Sequence, residues 1–126
     1  MKKIKLSINH RDKRGLITDL LEKKIINAIT FITQKKGAIR GNHYHKKTIQ
    51  WNYLLSGKIE LVAKQKGKKK KKKIVLKKGD LVVTDKNEAH AIKALTDSKF
   101  LVFTQGPLGG KEYENDTFRL TVPLII

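Results

Sequence analysis

The chain contains no cysteine, so neither disulfides nor thiolate chemistry can contribute to its fold or function. Proline is scarce, with two in 126 residues, and there is a single tryptophan. No apolar run approaches the ~18 residues that mark a bilayer-spanning helix. The N-terminal Met1-Lys2-Lys3-Ile4-Lys5-Leu6-Ser7 lacks the continuous apolar stretch of a secretory signal. These absences predict a cytoplasmic protein with no membrane partner. Acidic residues are also few: 11 Asp and Glu stand against 29 Lys and Arg, for a formal net charge of +18. Arginine is confined to Arg11, Arg14, Arg40 and Arg119. Proteins that read nucleic acid lean on Arg for bidentate contacts to bases and phosphates. The charge here is lysine-borne, spread along the chain and accompanied by much Ile. It reads as compositional bias, with no specific nucleic-acid partner. A basic surface still attracts anionic ligands, nucleotides included.

What the chain does have is a succession of short β patterns separated by turn signals. Lys2 to Ile8 alternates weakly, Asn9 to Gly15 reads as a polar turn, and Leu16 to Glu22 fits either a short helix or a strand. Ile25 to Thr33 is β-branched and reads as a strand. Ile49 to Leu55 alternates, with Ile49, Trp51, Tyr53 and Leu55 on one face. Trp51 is expected in the core or a dimer interface. Ser56-Gly57 turns the chain into a strand over Lys58 to Lys64, and residues 66–73, with the run Lys68 to Lys73, read as a solvated hairpin loop. Further strands are expected over Leu81 to Thr84, His90 to Leu95 and Phe100 to Thr104, then a flexible loop over Gly106 to Gly110. The pattern predicts one all-β domain over residues 1–126, a sandwich or barrel with little helix. The edges of such a sheet and the apolar tail within 106–126 predict a homodimer.

Three of the four histidines carry the chemistry. His43 and His45 are two residues apart in a strand-like segment, so they point the same way. Two imidazoles on one strand face suit a metal pair or an acid/base pair. His90 is the third; His10 lies in a polar turn and reads as surface.

The spacing around these histidines resembles the cupin superfamily. His43-x-His45 is followed by four residues, Gln50, six residues and Gly57; this is the first cupin motif, about residues 41–57, with Gln in place of the usual Glu. Gly79 is followed by five residues, Asp85-x-Asn87, two residues, His90, three residues and Ala94; this is the spacing of the second motif, about 79–94, with its Pro, Gly and Asn replaced. The resemblance covers roughly residues 37–104 and implies a jelly-roll β-barrel. Carried over from metal-binding cupins, the ligands are His43, His45, Gln50 and His90, for one divalent transition metal (Zn, Fe, Mn or Ni).

A narrower resemblance concerns Arg40-Gly41-x-His43-x-His45-Lys46-Lys47-x-x-Gln50 and Asp12-Lys13-Arg14-Gly15-Leu16. These segments look like those of the dTDP-sugar 3,4-ketoisomerases, which act on dTDP-4-keto-6-deoxyglucose. In that family the glutamine is expected and no metal is required. The resemblance implies acid/base work by His43 and His45, and contacts to nucleotide phosphate or sugar by Arg40. An enediolate needs hydrogen-bond donors, a role open to Gln50, Tyr53 or Tyr113. The same run also resembles the small cupin domain of capsular-polysaccharide assembly enzymes. Both imply a nucleotide sugar as the small-molecule substrate and a place in surface-polysaccharide synthesis. The alternatives are a metal-dependent dioxygenase or isomerase of cupin type and a non-enzymatic cupin that binds sugar or metal. The C-terminal stretch from Gly106 onward has no counterpart in these resemblances and is expected as a lid or a strand swapped between subunits.

Overall fold

The computed structural model describes every residue except Leu108, and Tyr113 through its backbone alone. Two five-stranded antiparallel sheets face each other. The first has the order β1 (Lys2–Ile4), β9 (Leu81–Thr84), β6 (Ile49–Ser56), β11 (Ser98–Gln105) and β4 (Ala28–Gln34). The second has β12 (Phe118–Arg119), β5 (Ile39–Tyr44), β10 (Glu88–Ala94), β7 (Lys58–Gln65) and β8 (Lys72–Lys77). Apart from the β7–β8 pair, strands that follow one another from β4 to β12 fall in different sheets, as the chain repeatedly crosses between layers. This is the all-β sandwich that the strand pattern predicts, in the jelly-roll form that the cupin resemblance implies. Among the described residues, no helix is long and apolar enough to cross a membrane.

The apolar core lies between the sheets and comprises Leu54, Ile59, Leu61, Leu76, Val82, Ile92, Phe100 and Val102. Burying such a side chain contributes about 1.5–3 kcal/mol. The inward face does not stay apolar to its end. Leu54 pairs with Phe100, Asn52 with Val102 and Gln50 with Thr104 along the β6–β11 ladder. On β10 the same change runs from Ile92 to His90. Stepping by two along these strands therefore leads from oil to hydrogen-bonding groups, and a cavity opens at the polar end.

Several turns depend on glycine. Gly57, between β6 and β7, has φ +88°, and a Cβ there would lie 2.3 Å from Ser98 Oγ and 2.4 Å from the Asp97 carbonyl. Gly41, in the β5 bulge, has φ +89°, and its Cβ would lie 2.8 Å from the His90 carbonyl. No other residue fits either position without movement.

The structure departs from the sequence expectations at four places. Residues 9–15 are not simply a turn: β2 (Ile8–Asp12) and β3 (Gly15–Thr18) form a two-stranded hairpin whose turn is capped by Asp12, which accepts from the Arg14 N–H at 2.9 Å. The hairpin has almost no buried side chains, so it lacks the alternation that announces a strand. Of the lysine run, Lys72 and Lys73 belong to β8, opposite Ala63 and Val62. The histidine-bearing β10 begins at Glu88 rather than His90. The C-terminal stretch forms a short 3-10 helix, Gly110–Asp116, and then β12, which adds to the edge of the chain's own β5. Within this chain the tail thus extends the second sheet by one short strand.

Candidate active site

The bulge in β5 builds the site. Gly41 and Asn42 both adopt positive φ, and the ladder shifts register between His90 and Ala91. A bulge adds one residue and resets the alternation. Arg40 and His43, three residues apart, consequently line the same cavity. Asn42 leaves the barrel: its side chain accepts from Leu124 N–H at 2.8 Å and donates to the Ile125 carbonyl at 3.0 Å, fastening the tail outside.

His43 pairs directly with His90 across the β5–β10 ladder. His45 lies one residue past the end of β5. The ring centroids are 4.7 Å apart for His43 and His45, 4.8 Å for His43 and His90, and 5.3 Å for His45 and His90. One nitrogen from each ring lies within 4.8 Å of the others. All three are buried, at 6%, 2% and 5% exposure. Their second contacts differ. His90 Nδ1 is 3.0 Å from the Glu88 carbonyl, and His45 Nδ1 is 2.8 Å from the Asp116 carbonyl. Among the described residues, His43 Nδ1 and His45 Nε2 are buried with no hydrogen-bond partner.

Burial keeps these rings neutral. His43 is pushed down to about 3, first by burial and then by repulsion from His90, His45 and Arg119. His90 is pushed down to about 4 by burial, against a hydrogen bond to Glu88 that favours its cation. His45 is lowered by burial too, partly offset by the Asp116 carbonyl and charge. The Gln50 amide stands near enough to His45 to favour its cation slightly, without closing a hydrogen bond at Nε2. Three neutral imidazoles with free lone pairs can accept protons or bind a metal.

The cavity above them has a volume of about 430 Å³. Gln50, Asn52 and Thr104 face it from the first sheet, and Arg40 and Arg119 stand at its rim. Both guanidiniums are exposed. Arg119 pairs with Glu114 at 2.9 Å, and Arg40 makes a long contact to the Thr33 carbonyl at 3.4 Å.

Of the residues singled out from sequence, His43, His45, His90, Gln50 and Arg40 come together. Tyr53 does not line this cavity: it alternates with Gln50 and Asn52 and so points to the other face of β6. Trp51 shares that outer face and is 6% exposed, beside a separate cavity roofed by residues 20–24. Tyr44 also faces away and stacks on Phe118 at 5.3 Å. The side chain of Tyr113 lies outside the described residues. Sequence reasoning missed Asn52, Thr104, Asp116 and Arg119. The first two were legible, since they share the parity of Gln50 on β6 and of the apolar Phe100 and Val102 on β11. Asp116 and Arg119 lie beyond both motifs, where no periodicity points inward.

Two sheets facing each other around a histidine-floored mouth define the cupin jelly roll, and solved structures agree. A sugar 3,4-ketoisomerase from Thermoanaerobacterium thermosaccharolyticum, in complex with TDP, superposes with TM-score 0.75 at 24% identity, over 95% of this chain and 88% of its own. The TDP-quinovose 3,4-ketoisomerase of Campylobacter jejuni gives 0.78 at 22%, over 94% and 91%. The capsular polysaccharide assembling protein of Staphylococcus aureus gives 0.68 at 20%; this chain spans only 35% of its length. No curated protein matches by sequence. The chain belongs to the polysaccharide biosynthesis C-terminal domain family, whose pattern matches residues 10–118.

Proposed function

We propose that this protein is a keto-sugar isomerase or epimerase acting on a nucleotide-linked deoxysugar in surface-polysaccharide synthesis. The observation that carries this reading is the set of three buried, neutral imidazoles beneath a cavity with two guanidiniums at its rim. Moving a ketone between neighbouring carbons requires loss of a proton beside the carbonyl and its return on the adjacent carbon. A neutral histidine is a suitable base at neutral pH. One of His43 and His45 removes the C–H proton, giving an enediolate and an imidazolium; that proton is returned to the neighbouring carbon, directly or relayed through the other ring, which restores both to the neutral form. The hydroxyl proton moves to the former carbonyl oxygen, so the reaction is an isomerisation and needs no oxidant or reductant. Gln50 and Asn52 are placed to donate hydrogen bonds to the developing oxyanion. Arg40 and Arg119 suit a diphosphate at the mouth. The similarity to ketoisomerases, one of them in complex with TDP, supports the substrate class.

The test is turnover of dTDP-4-keto-6-deoxyglucose, followed by NMR of the sugar. Conversion to an isomer or epimer, lost in His43→Ala and His45→Ala, is the expected result. No conversion, or conversion unchanged in the variants, rejects the reading.

A second reading is favoured by one specific observation: the orphaned lone pairs of His43 and His45 beside His90. Three imidazole nitrogens, with the Gln50 amide nearby, fit a divalent transition metal. When bound, it would polarise a substrate carbonyl. In this reading the histidines hold the ion, and proton transfer falls to other groups facing the cavity.

The protein is also proposed to work as a homodimer. The β2–β3 hairpin exposes Ile8, Leu16 and Ile17, and the free edge strand β4 exposes Ile29 and Phe31. A second copy would cover both patches. A monomer by light scattering at micromolar concentration would reject it.

A further inference from the structure

We infer that Asp116 is a positioning residue that fixes His45 in its Nδ1-protonated tautomer and so leaves a bare Nε2 within the buried histidine cluster. The inference rests on the reading of the histidine cluster as the working site, and it holds whether Nε2 takes a proton or a metal.

The geometry leaves little freedom. His45 Nδ1 lies 2.8 Å from the backbone carbonyl of Asp116. A carbonyl can only accept, so in the neutral ring Nδ1 carries the hydrogen and Nε2 the lone pair. That Nε2 is buried with no partner in hydrogen-bond geometry.

His45 is not held by a β ladder, because β5 ends at Tyr44. Its own carbonyl accepts from Asn87 N–H at 2.6 Å, which anchors the backbone but not the ring. The turn that follows is organised by the Asp116 carboxylate. It accepts from Lys46 N–H at 3.0 Å, Lys47 N–H at 2.9 Å and the Thr48 hydroxyl at 2.8 Å. The residue is 3% exposed. One residue thus holds the turn with its side chain and the ring with its main chain. Losing the carboxylate frees the segment at 116 to move away from the ring. A second contact that sets the tautomer of a working imidazole is commonly worth ~10–100-fold in activity or metal affinity.

A structural brace alone would also explain a buried aspartate, so the test reads the tautomer itself. Imidazole nitrogens of ¹⁵N-labelled protein are observed by long-range ¹H–¹⁵N correlation. In the wild type His45 is expected to show a protonated Nδ1 and an unprotonated Nε2; a protonated Nε2 with a bare Nδ1 overturns the inference. In folded Asp116→Ala the two shifts are expected to move toward an average of both tautomers, and kcat to fall ~10–100-fold with KM changed less. An unchanged His45 signature in that variant also overturns it. Asp116→Asn, which keeps one acceptor oxygen, should recover the wild-type signature in part. If Asp116→Ala does not fold, Thr48→Val removes one of the three carboxylate contacts and is expected to shift the signature in the same direction. No turnover by wild type with the expected tautomer in place counts against the proposed activity and leaves the role of Asp116 supported.

Discussion

His43 and His90 sit opposite one another across the β5–β10 ladder, with ring planes at 89° and centroids 4.8 Å apart. The pairing exists because a bulge at Gly41–Asn42 shifts the register at the point where the two strands meet. A histidine from each motif is thereby brought to one floor, and His45 completes it from just beyond the strand end.

Removing a member of this floor should abolish chemistry without unfolding the domain. His45→Ala is expected to lower kcat by ~10²–10⁴-fold, the usual contribution of a positioned acid or base. The domain should stay folded but melt at a lower temperature, since the ring is buried and its Nδ1 contact to the Asp116 carbonyl is lost. Steady-state kinetics with a nucleotide keto-sugar, beside calorimetry, checks both.

The neutral histidines make stability depend on pH. In the unfolded chain a histidine takes up its proton near 6.5, whereas in the fold His43 and His90 resist protonation down to about 3 and about 4. Between these values the unfolded state binds more protons, so stability falls as the solution is acidified. The slope is at most about 1.4 kcal/mol per pH unit for each such histidine. Urea denaturation at neutral pH and at successively lower values should show the loss, with a shallower slope in His43→Asn. A flat profile matching that variant contradicts it.

Metal content separates the two readings of the floor. If the ion belongs to the resting protein, protein purified without chelator should carry near-stoichiometric transition metal, lost in both His43→Ala and His90→Ala. Elemental analysis decides. Metal-free, folded and active protein would leave acid/base chemistry as the whole account.

The rim arginines should act on binding more than on catalysis. Arg40→Ala and Arg119→Ala are each expected to raise KM by ~10-fold or more, the worth of a hydrogen bond to a charged group. Both effects should weaken in high salt, because the guanidiniums are exposed. An unchanged KM for either variant removes that arginine from the site.

Gly57→Ala tests the fold independently of function. Its φ of +88° and the Cβ position 2.3 Å from Ser98 Oγ predict a loss of ~1–3 kcal/mol or more. Chemical denaturation reads it directly.

Much of the barrel was legible because alternation is a local signal wherever one face is buried. Ile49 to Leu55 announced β6 correctly, and the two histidine spacings placed His43 and His90 on neighbouring strands, with His45 just past the end of the first. Gln50 and Tyr53 were both expected at the ligand, although alternation sends them to opposite faces of β6; the cavity is lined by Gln50 and Asn52 and not by Tyr53. A polar pair on an inward face is the mark of a cavity, and apolar residues on the outward face conceal it. The β2–β3 hairpin escaped because neither strand has a buried face to alternate against. Asp116 and Arg119 escaped because they reach the site through tertiary return of the tail, which no short-range pattern encodes.

The central claim is that this floor moves a proton on a nucleotide-linked keto-sugar. The most direct measurement is NMR of dTDP-4-keto-6-deoxyglucose in D₂O with wild type and with His45→Ala. The account predicts loss of the C–H signal beside the ketone, at least ~100-fold faster with wild type than with the variant. Equal rates for the two proteins, or no exchange and no product with either, would contradict it.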